Sequence, residues 1–389
     1  MIKKRILSLW ISLCVICIAG AQEKELAYCN RQIHKTLKAI GTSSKLPRAI
    51  EAGKSSWNMV SPHDWTSGFF PGVLWYDYEY SHEPEIKEKA VHFTKLLESL
   101  PSKVTSHDMG FQMFCSYGHA YRLTKENYYK DILLKSADEL AKLYNPRVGT
   151  LLSWPWKVKE SNWPHNTIID NMMNLELLME AYKLSGDTTL RHIALSHADK
   201  TMKCQYRKNY SCPHVVDYDA ETGEVRKFDW NNGSDDVSVS TWARGQAWGL
   251  YGFTMMYRET NDPKYLRHAE YIADFLIHPP NLPADGIPYW DYSGSGVSTL
   301  RDTSAASIMA SALIELSTYS ANKDYFKTGE KILKNLSSDK YLAKPGKHSF
   351  FILKQAIGNY LRNSELEGGL SYADYYYVEG LLRYFKQTN

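Results

Sequence analysis

Between Asn166 and Tyr182 the chain reads NTIIDNMMNLELLMEAY, with Leu, Met and Ile recurring every three or four positions. That period predicts a buried helix. One acid, Asp170, falls where the helix begins, and a carboxylate in apolar surroundings needs a partner or a task. The same punctuation recurs along the chain. YEYSHEPEIKEKAVHF, YRLTKENYYKDILLKSA, YKLSGDTTLRHIALSHA, YRETNDPKYLRHAEYIA and STYSANKDYFKTGEKIL each end one helix, turn through polar residues and start another. Aligned on Tyr78, Tyr121, Tyr182, Tyr257 and Ser317, they carry Ile86, Tyr129, Leu190, Tyr265 and Tyr325 eight residues on, and Ala90, Leu133, Ala194, Ala269 and Gly329 twelve residues on.

A helix–turn–helix unit is thus used at least five times. YADYYYVEGLLRYF supplies a sixth first helix, which can pair with an N-terminal helix around Leu26 to Ile40. Repeated hairpins must stack to bury their faces. The irregular intervals of 43, 61, 75 and 60 residues argue against an open solenoid. The expected fold is all-α: six hairpins closed into an (α/α)6 barrel, a toroid. Strand signals are sparse. HVVDYDAETGEVRKF reads as one β-hairpin inserted in the longest interval. No linker composition divides residues 22–389, which are expected to form a single catalytic-size domain.

The polar exceptions share one register. Asp170 stands twelve residues before its repeat anchor. Asp108, Arg244, Ser304 (beside Asp302) and Trp65 (beside Asp64) stand thirteen before theirs. Each marks the start of an inner helix, and in a closed ring those ends converge on one mouth. Helix capping alone would account for Asp108 or Ser304. It fits Asp170 less well, because the apolar Ile168–Ile169 pair precedes it. It fits Arg244 badly, because a cation opposes the helix dipole there. Such an Arg calls for an anion, either an internal Asp (Asp235 or Asp236) or a substrate carboxylate. Loops near the mouth carry Trp65, Trp154, Trp156, Trp163, Trp242, Trp248 and Trp290. Carboxylates ringed by Trp, with one Arg, suit a sugar acid.

Charge and cysteine content narrow the classes. Lys3, Lys4 and Arg5, the apolar run Ile6–Ile18 and the small Ala19–Gly20–Ala21 site read as a cleavable signal peptide over residues 1–21. That run is too short to span a membrane. The expected location is the periplasm or the medium of a bacterium. Without those three cations the formal charge of +3 falls to zero, and no basic run remains to suggest nucleic acid or a membrane surface as partner. Cys29, Cys115, Cys204 and Cys212 show no metal-ligand spacing. An oxidising compartment leaves a Cys204–Cys212 disulfide open, which spacing does not decide. His63–Asp64 and His107–Asp108 lack a third ligand at a recognisable spacing, so no metal is implied.

HDMGF, IIDNMMNLELL, RGQAWGLYGF and ADYYYVEGLL, with WTSGFFPG and RDTSAAS, together resemble the unsaturated glucuronyl hydrolases, glycoside hydrolase family 88. The motifs span nearly the whole chain, in the family's order. The resemblance implies an (α/α)6 barrel with no metal or organic cofactor. It also implies removal of the 4,5-unsaturated uronic acid that polysaccharide lyases leave at the non-reducing end of oligosaccharides. The implied chemistry is hydration: a proton goes to C4 of the enol ether, water adds at C5, and the hemiketal collapses. By the same resemblance Asp170 is the acid/base and Asp108 its partner. His107, His214, Arg244 and Trp248 surround the uronate, and Trp65 and Tyr375 contact sugar. Trp154 and Trp242 join them as aromatic walls. The family's Gln just before WARGQAW has no counterpart in WNNGSDDVSVS, and Gln246 does not replace it by position.

Burial and the like charge of Asp108 are expected to raise the Asp170 carboxyl, leaving Asp108 charged. Rival readings are an unsaturated rhamnogalacturonyl hydrolase acting on pectin fragments, a two-carboxylate hydrolase of saturated glycosides, and a non-catalytic sugar-binding barrel. The last has no need of two acids in matching registers. The polysaccharide, its sulfation and the oligomeric state have no readable signal.

Overall fold

The computed structural model describes residues 23–229, 238–279, 281–293, 299–344 and 351–388. The expected signal peptide, residues 1–21, lies outside the described residues, as do Asp235 and Asp236. Paired helices form two concentric rings. The inner ring runs Phe69–Ser81, Met109–Met113 continuing to His119–Thr124, Asn171–Ser185, Ala243–Thr260, Thr303–Leu316 and Ser371–Thr388. Each inner helix packs on the next, and Ser371–Thr388 packs back on Phe69–Ser81, which closes the ring. Pro84–Lys95, Asn127–Ala141, Thr188–Cys204, Pro263–Ile277 and Lys323–Leu336 form the outer ring with the helix over residues 23–40. This is the expected toroid.

Burial follows from the two kinds of sequence. Thr303–Leu316 is buried all round. Lys323–Leu336 buries only Tyr325, Gly329, Ile332, Leu333 and Leu336, one amphipathic stripe. The repeat positions Ile86, Tyr129, Leu190, Tyr265 and Tyr325 are all inward-facing and buried. The anchors Tyr78, Tyr121, Tyr182 and Tyr257 end their helices in one way. Each carbonyl accepts the backbone N–H of a left-handed residue four positions on: His82, Lys125, Gly186 and Asn261. Asp187, Asp262 and Asn322 then cap the outer helices that follow.

The helix starts where Asp170 marks it, with Asn171 its first residue, and the residues before it are extended: His165–Ile168 is a strand. The expected hairpin is present as Val215–Tyr218 and Val225–Asp229, and the His165–Ile168 strand joins it as a third, antiparallel member. A π-helical turn, Phe114–Gly118, also interrupts the second inner helix. Cys204 and Cys212 are both free thiols, so the disulfide is not formed.

Candidate active site

The inner-helix starts do converge. They border a cleft of about 530 Å³ whose lining includes Asp108, Asp170, His214, Arg244, Trp65, Trp154 and Trp242. Asp170 occupies the position before the helix, but its side chain makes no capping bond. Its partner is His214, whose Nε2 lies 3.2 Å from Oδ2. The three-stranded sheet sets this contact. Ile168 pairs with Val215, and Ile169 N–H donates to the His214 carbonyl at 3.0 Å. The imidazole is held between Trp242 and Trp154, at centroid distances of 4.7 and 5.7 Å.

Asp108 also makes no capping bond. Ser106 Oγ donates to its Oδ2 at 2.8 Å. The cap in the fifth repeat is Asp302, not Ser304: Asp302 Oδ1 accepts Ser304 N–H at 3.0 Å and the Ser304 hydroxyl at 2.6 Å.

The protonation order is the reverse of that expected. Burial raises the Asp108 carboxyl. His107 and the Ser106 bond oppose it, the negative charges of Asp170 and Asp64 reinforce it, and the net shift is upward. Burial also raises Asp170, but the hydrogen bond and charge of His214, then His107 and Arg244, outweigh it and hold the carboxyl below its usual range. Of the two carboxyls, Asp108 therefore holds a proton more readily than Asp170. Sequence reading named His214, His107 and Arg244 but not their effect on Asp170, because they come from other repeats.

Arg244 has an internal acid as partner, though not one of the two named from the sequence. It borders the cleft, but its fork is engaged within the protein. Nη1 donates to Asp302 Oδ2 (3.2 Å), Ser304 Oγ (3.1 Å) and the Ile357 carbonyl (2.5 Å). Nη2 donates to the Gly358 carbonyl (2.7 Å). Trp242, Trp290 and Tyr372 face the guanidinium at 4.6, 5.5 and 5.2 Å. The internal acid is thus Asp302, and Arg244 acts on the cleft through its field and through the 357–358 loop.

Three predicted sugar contacts do not reach the cleft lining. Trp248 is fully buried, packed on Phe111 and Tyr376. It stands four residues beyond Arg244, about 6 Å deeper along the helix. Tyr375 is buried likewise, bonded through its hydroxyl to His119 Nε2 at 2.7 Å. His107 is buried behind Asp108, its Nε2 lying 3.4 Å from Oδ1.

Other lining groups carried no readable signal, notably Arg48, Lys157, Glu160, Arg362 and Glu365. Arg48 sits on the Leu46–Ile50 strand and bridges Glu365 (2.7 Å) and Asp64 (2.9 Å). Those partners are far apart in sequence and meet only when the ring closes. Among the described residues no group of three His, Cys, Asp or Glu side chains is arranged to hold a metal ion.

The family model described as Glycosyl Hydrolase Family 88 matches residues 41–381. The chain belongs to that family. Among its relatives, an unsaturated glucuronyl hydrolase of Formosa agariphila is 43% identical over 362 residues, covering 92% of this chain and 90% of that protein. An unsaturated chondroitin disaccharide hydrolase of Streptococcus pyogenes is 30% identical over 335 residues, covering 84% and 82%. The crystal structure of an unsaturated glucuronyl hydrolase specific for heparin superposes with a TM-score of 0.89 at 42% identity, covering 94% of this chain and 97% of that one. That solved structure shares the barrel described above, and the motifs quoted from the sequence lie within the matched span but for the last residue, Leu382.

Proposed function

We propose that this enzyme removes the 4,5-unsaturated uronic acid from the non-reducing end of lyase-generated, glycosaminoglycan-type oligosaccharides by hydrating the C4=C5 enol ether. The observation that carries the reading is the pairing of two buried carboxyls with opposite proton preferences at one Trp-walled cleft. It is joined by the family membership and the 43% identical glucuronyl hydrolase.

In this reading Asp170 is the acid/base. Its anion waits beside His214. An arriving uronate adds negative charge to a desolvated cleft, which raises the proton affinity of Asp170. Protonated Asp170 gives its proton to C4, and positive charge develops at C5 beside the ring oxygen. Water attacks C5 and returns a proton to Asp170, so one water is added in all. The hemiketal opens to a ketone as the ring oxygen becomes the C1 hydroxyl. The resulting C1 hemiacetal then releases the aglycone. Asp108, the carboxyl of the pair that burial shifts upward, orients substrate by hydrogen bonding. Trp65, Trp154 and Trp242 supply faces for the sugar rings. Export by residues 1–21 belongs to the same reading, and a secreted chain beginning at Gln22 is its expected form.

The C4=C5 bond is conjugated with the carboxylate and absorbs in the ultraviolet, whereas the product does not. Unsaturated chondroitin or heparin disaccharides should lose that absorbance on addition of enzyme. Asp170→Asn should nearly abolish the loss while leaving binding intact. Bleaching of pectin-derived disaccharides alone, or an Asp170→Asn enzyme of full activity, would overturn the reading.

A further inference from the structure

Asn174 lies one helical turn beyond Asp170, fully buried, and the sequence analysis gave it no role. Its amide orientation is set by a backbone group. Phe111 N–H, which can only donate, meets Asn174 Oδ1 at 2.7 Å. The other end of the amide, Nδ2, is therefore the NH2 group, and it faces His107 Nδ1 at 3.0 Å. An NH2 group only donates. His107 Nδ1 must then accept, which leaves the ring proton on Nε2. That atom lies 3.4 Å from Asp108 Oδ1 and has no other partner among the described residues. The chain of contacts runs from a main-chain amide to a carboxyl in the cleft, through two buried side chains.

The fit is close on every side. A Cβ at Gly110 would come within 2.4 Å of Asn174, so the loop carrying Asp108 approaches this amide only because position 110 is glycine. His107 N–H donates to the Ser153 carbonyl at 3.2 Å. Ser153 Oγ in turn accepts Ile168 N–H and Asn171 Nδ2 at 3.0 and 3.1 Å. His107 is thus tied through Ser153 to the strand and the helix start that flank Asp170.

We propose that Asn174 is a positioning residue for the hydration reaction, holding His107 as its Nε2–H tautomer so that the ring presents a hydrogen, not a lone pair, to Asp108. This rests on the activity proposed above. Protonating Nδ1 would set two donors face to face, which the Asn174 amide opposes. The other ionisable groups around this pair are Asp170, Asp64 and the buried His197. Asp170 and Asp64 both favour keeping the Asp108 proton in place.

Asn174→Asp preserves shape and still accepts from Phe111, but it accepts from His107 as well and calls a proton onto Nδ1. We expect kcat to fall at least tenfold with KM changed less than threefold. The limb of the pH–rate profile assigned to Asp108 should move to lower pH, because a charged ring stabilises the Asp108 anion. A variant with wild-type kcat and an unmoved profile would overturn the proposal. Neutron diffraction of the wild-type protein gives a second test that needs no variant to fold. Hydrogen on Nε2 and none on Nδ1 is expected, and hydrogen on Nδ1 would overturn the assignment. That map is obtained without substrate, so it succeeds or fails separately from the ultraviolet assay of the activity itself.

Discussion

His214 Nε2 and Asp170 Oδ2, 44 residues apart in the chain, stand 3.2 Å from each other in the cleft. The pairing of His165–Ile168 with Val215–Tyr218 creates that neighbourhood, so the inserted hairpin helps to build the cleft. The contact is the first of the influences that hold Asp170 below the usual carboxylate range against its burial. His214→Ala removes the bond and the partner charge and leaves the burial. The Asp170 limb of the pH profile of kcat/KM should therefore shift to higher pH. The sign for stability is the same. A depressed carboxyl contributes stability above its unfolded value, and that stability is lost as pH falls through the folded value. Acid unfolding of the variant should accordingly begin at higher pH than in the wild type.

Arg244 gives a stability prediction. Arg244→Ala strands Asp302 in the interior and frees the Ile357 and Gly358 carbonyls. Removing one partner of a buried pair costs about 3–5 kcal/mol. Differential scanning calorimetry should show a clear fall in Tm. Arg244→Lys should recover little, since one ammonium cannot reach four acceptors in a planar fork. A variant of wild-type Tm with only a raised KM would instead mean that the guanidinium is free to bind substrate.

A second buried acid reports on the fold away from the cleft. Asp374 accepts Ile352 and Leu353 N–H, both at 2.9 Å, yet burial pushes its carboxyl up to about 7. A carboxyl raised on folding binds more protons folded than unfolded between its two values, so its contribution falls as pH rises from about 4 to 7. Asp374→Asn cannot titrate. Wild type should lose stability relative to this variant across that window, by on the order of a few kcal/mol. Paired urea melts at pH 5 and pH 8 measure the difference while other titrating groups cancel. A constant gap would show that the carboxyl titrates normally.

The repeat was legible because it is local. Tyr78, Tyr121, Tyr182 and Tyr257 mark turns whose geometry lies within a few residues, and the buried positions eight and twelve residues on follow from helical period. The register argument placed Asp108, Asp170 and Arg244 at one mouth for the same reason. What it could not supply was the identity of long-range partners. Glu365 reaches Arg48 across 317 residues, and Asp302 reaches Arg244 across 58. The reversed proton order of Asp108 and Asp170 depends on such partners. Asn174 was closer to view: its four-residue spacing from Asp170 puts both on one helix face.

The aromatic residues divide by depth, and kinetics should divide them in the same way. Trp156 is 43% exposed at the cleft and lies 6.2 Å from Trp154. Trp248 is fully enclosed by Phe111, Tyr376 and their neighbours. Truncating an exposed stacking platform removes about 0.5–1.5 kcal/mol of ring contact, so Trp156→Ala should raise KM several-fold and leave Tm unchanged. Truncating a buried Trp opens a cavity and costs about 3–5 kcal/mol, so Trp248→Ala should lower Tm sharply. Where that protein remains folded at low temperature, its KM should stay near the wild-type value, because the ring never meets sugar. Thermal melts and Michaelis constants on the two variants, measured at one temperature below both transitions, decide the matter. A Trp248→Ala enzyme with normal Tm and a raised KM would return Trp248 to the binding surface.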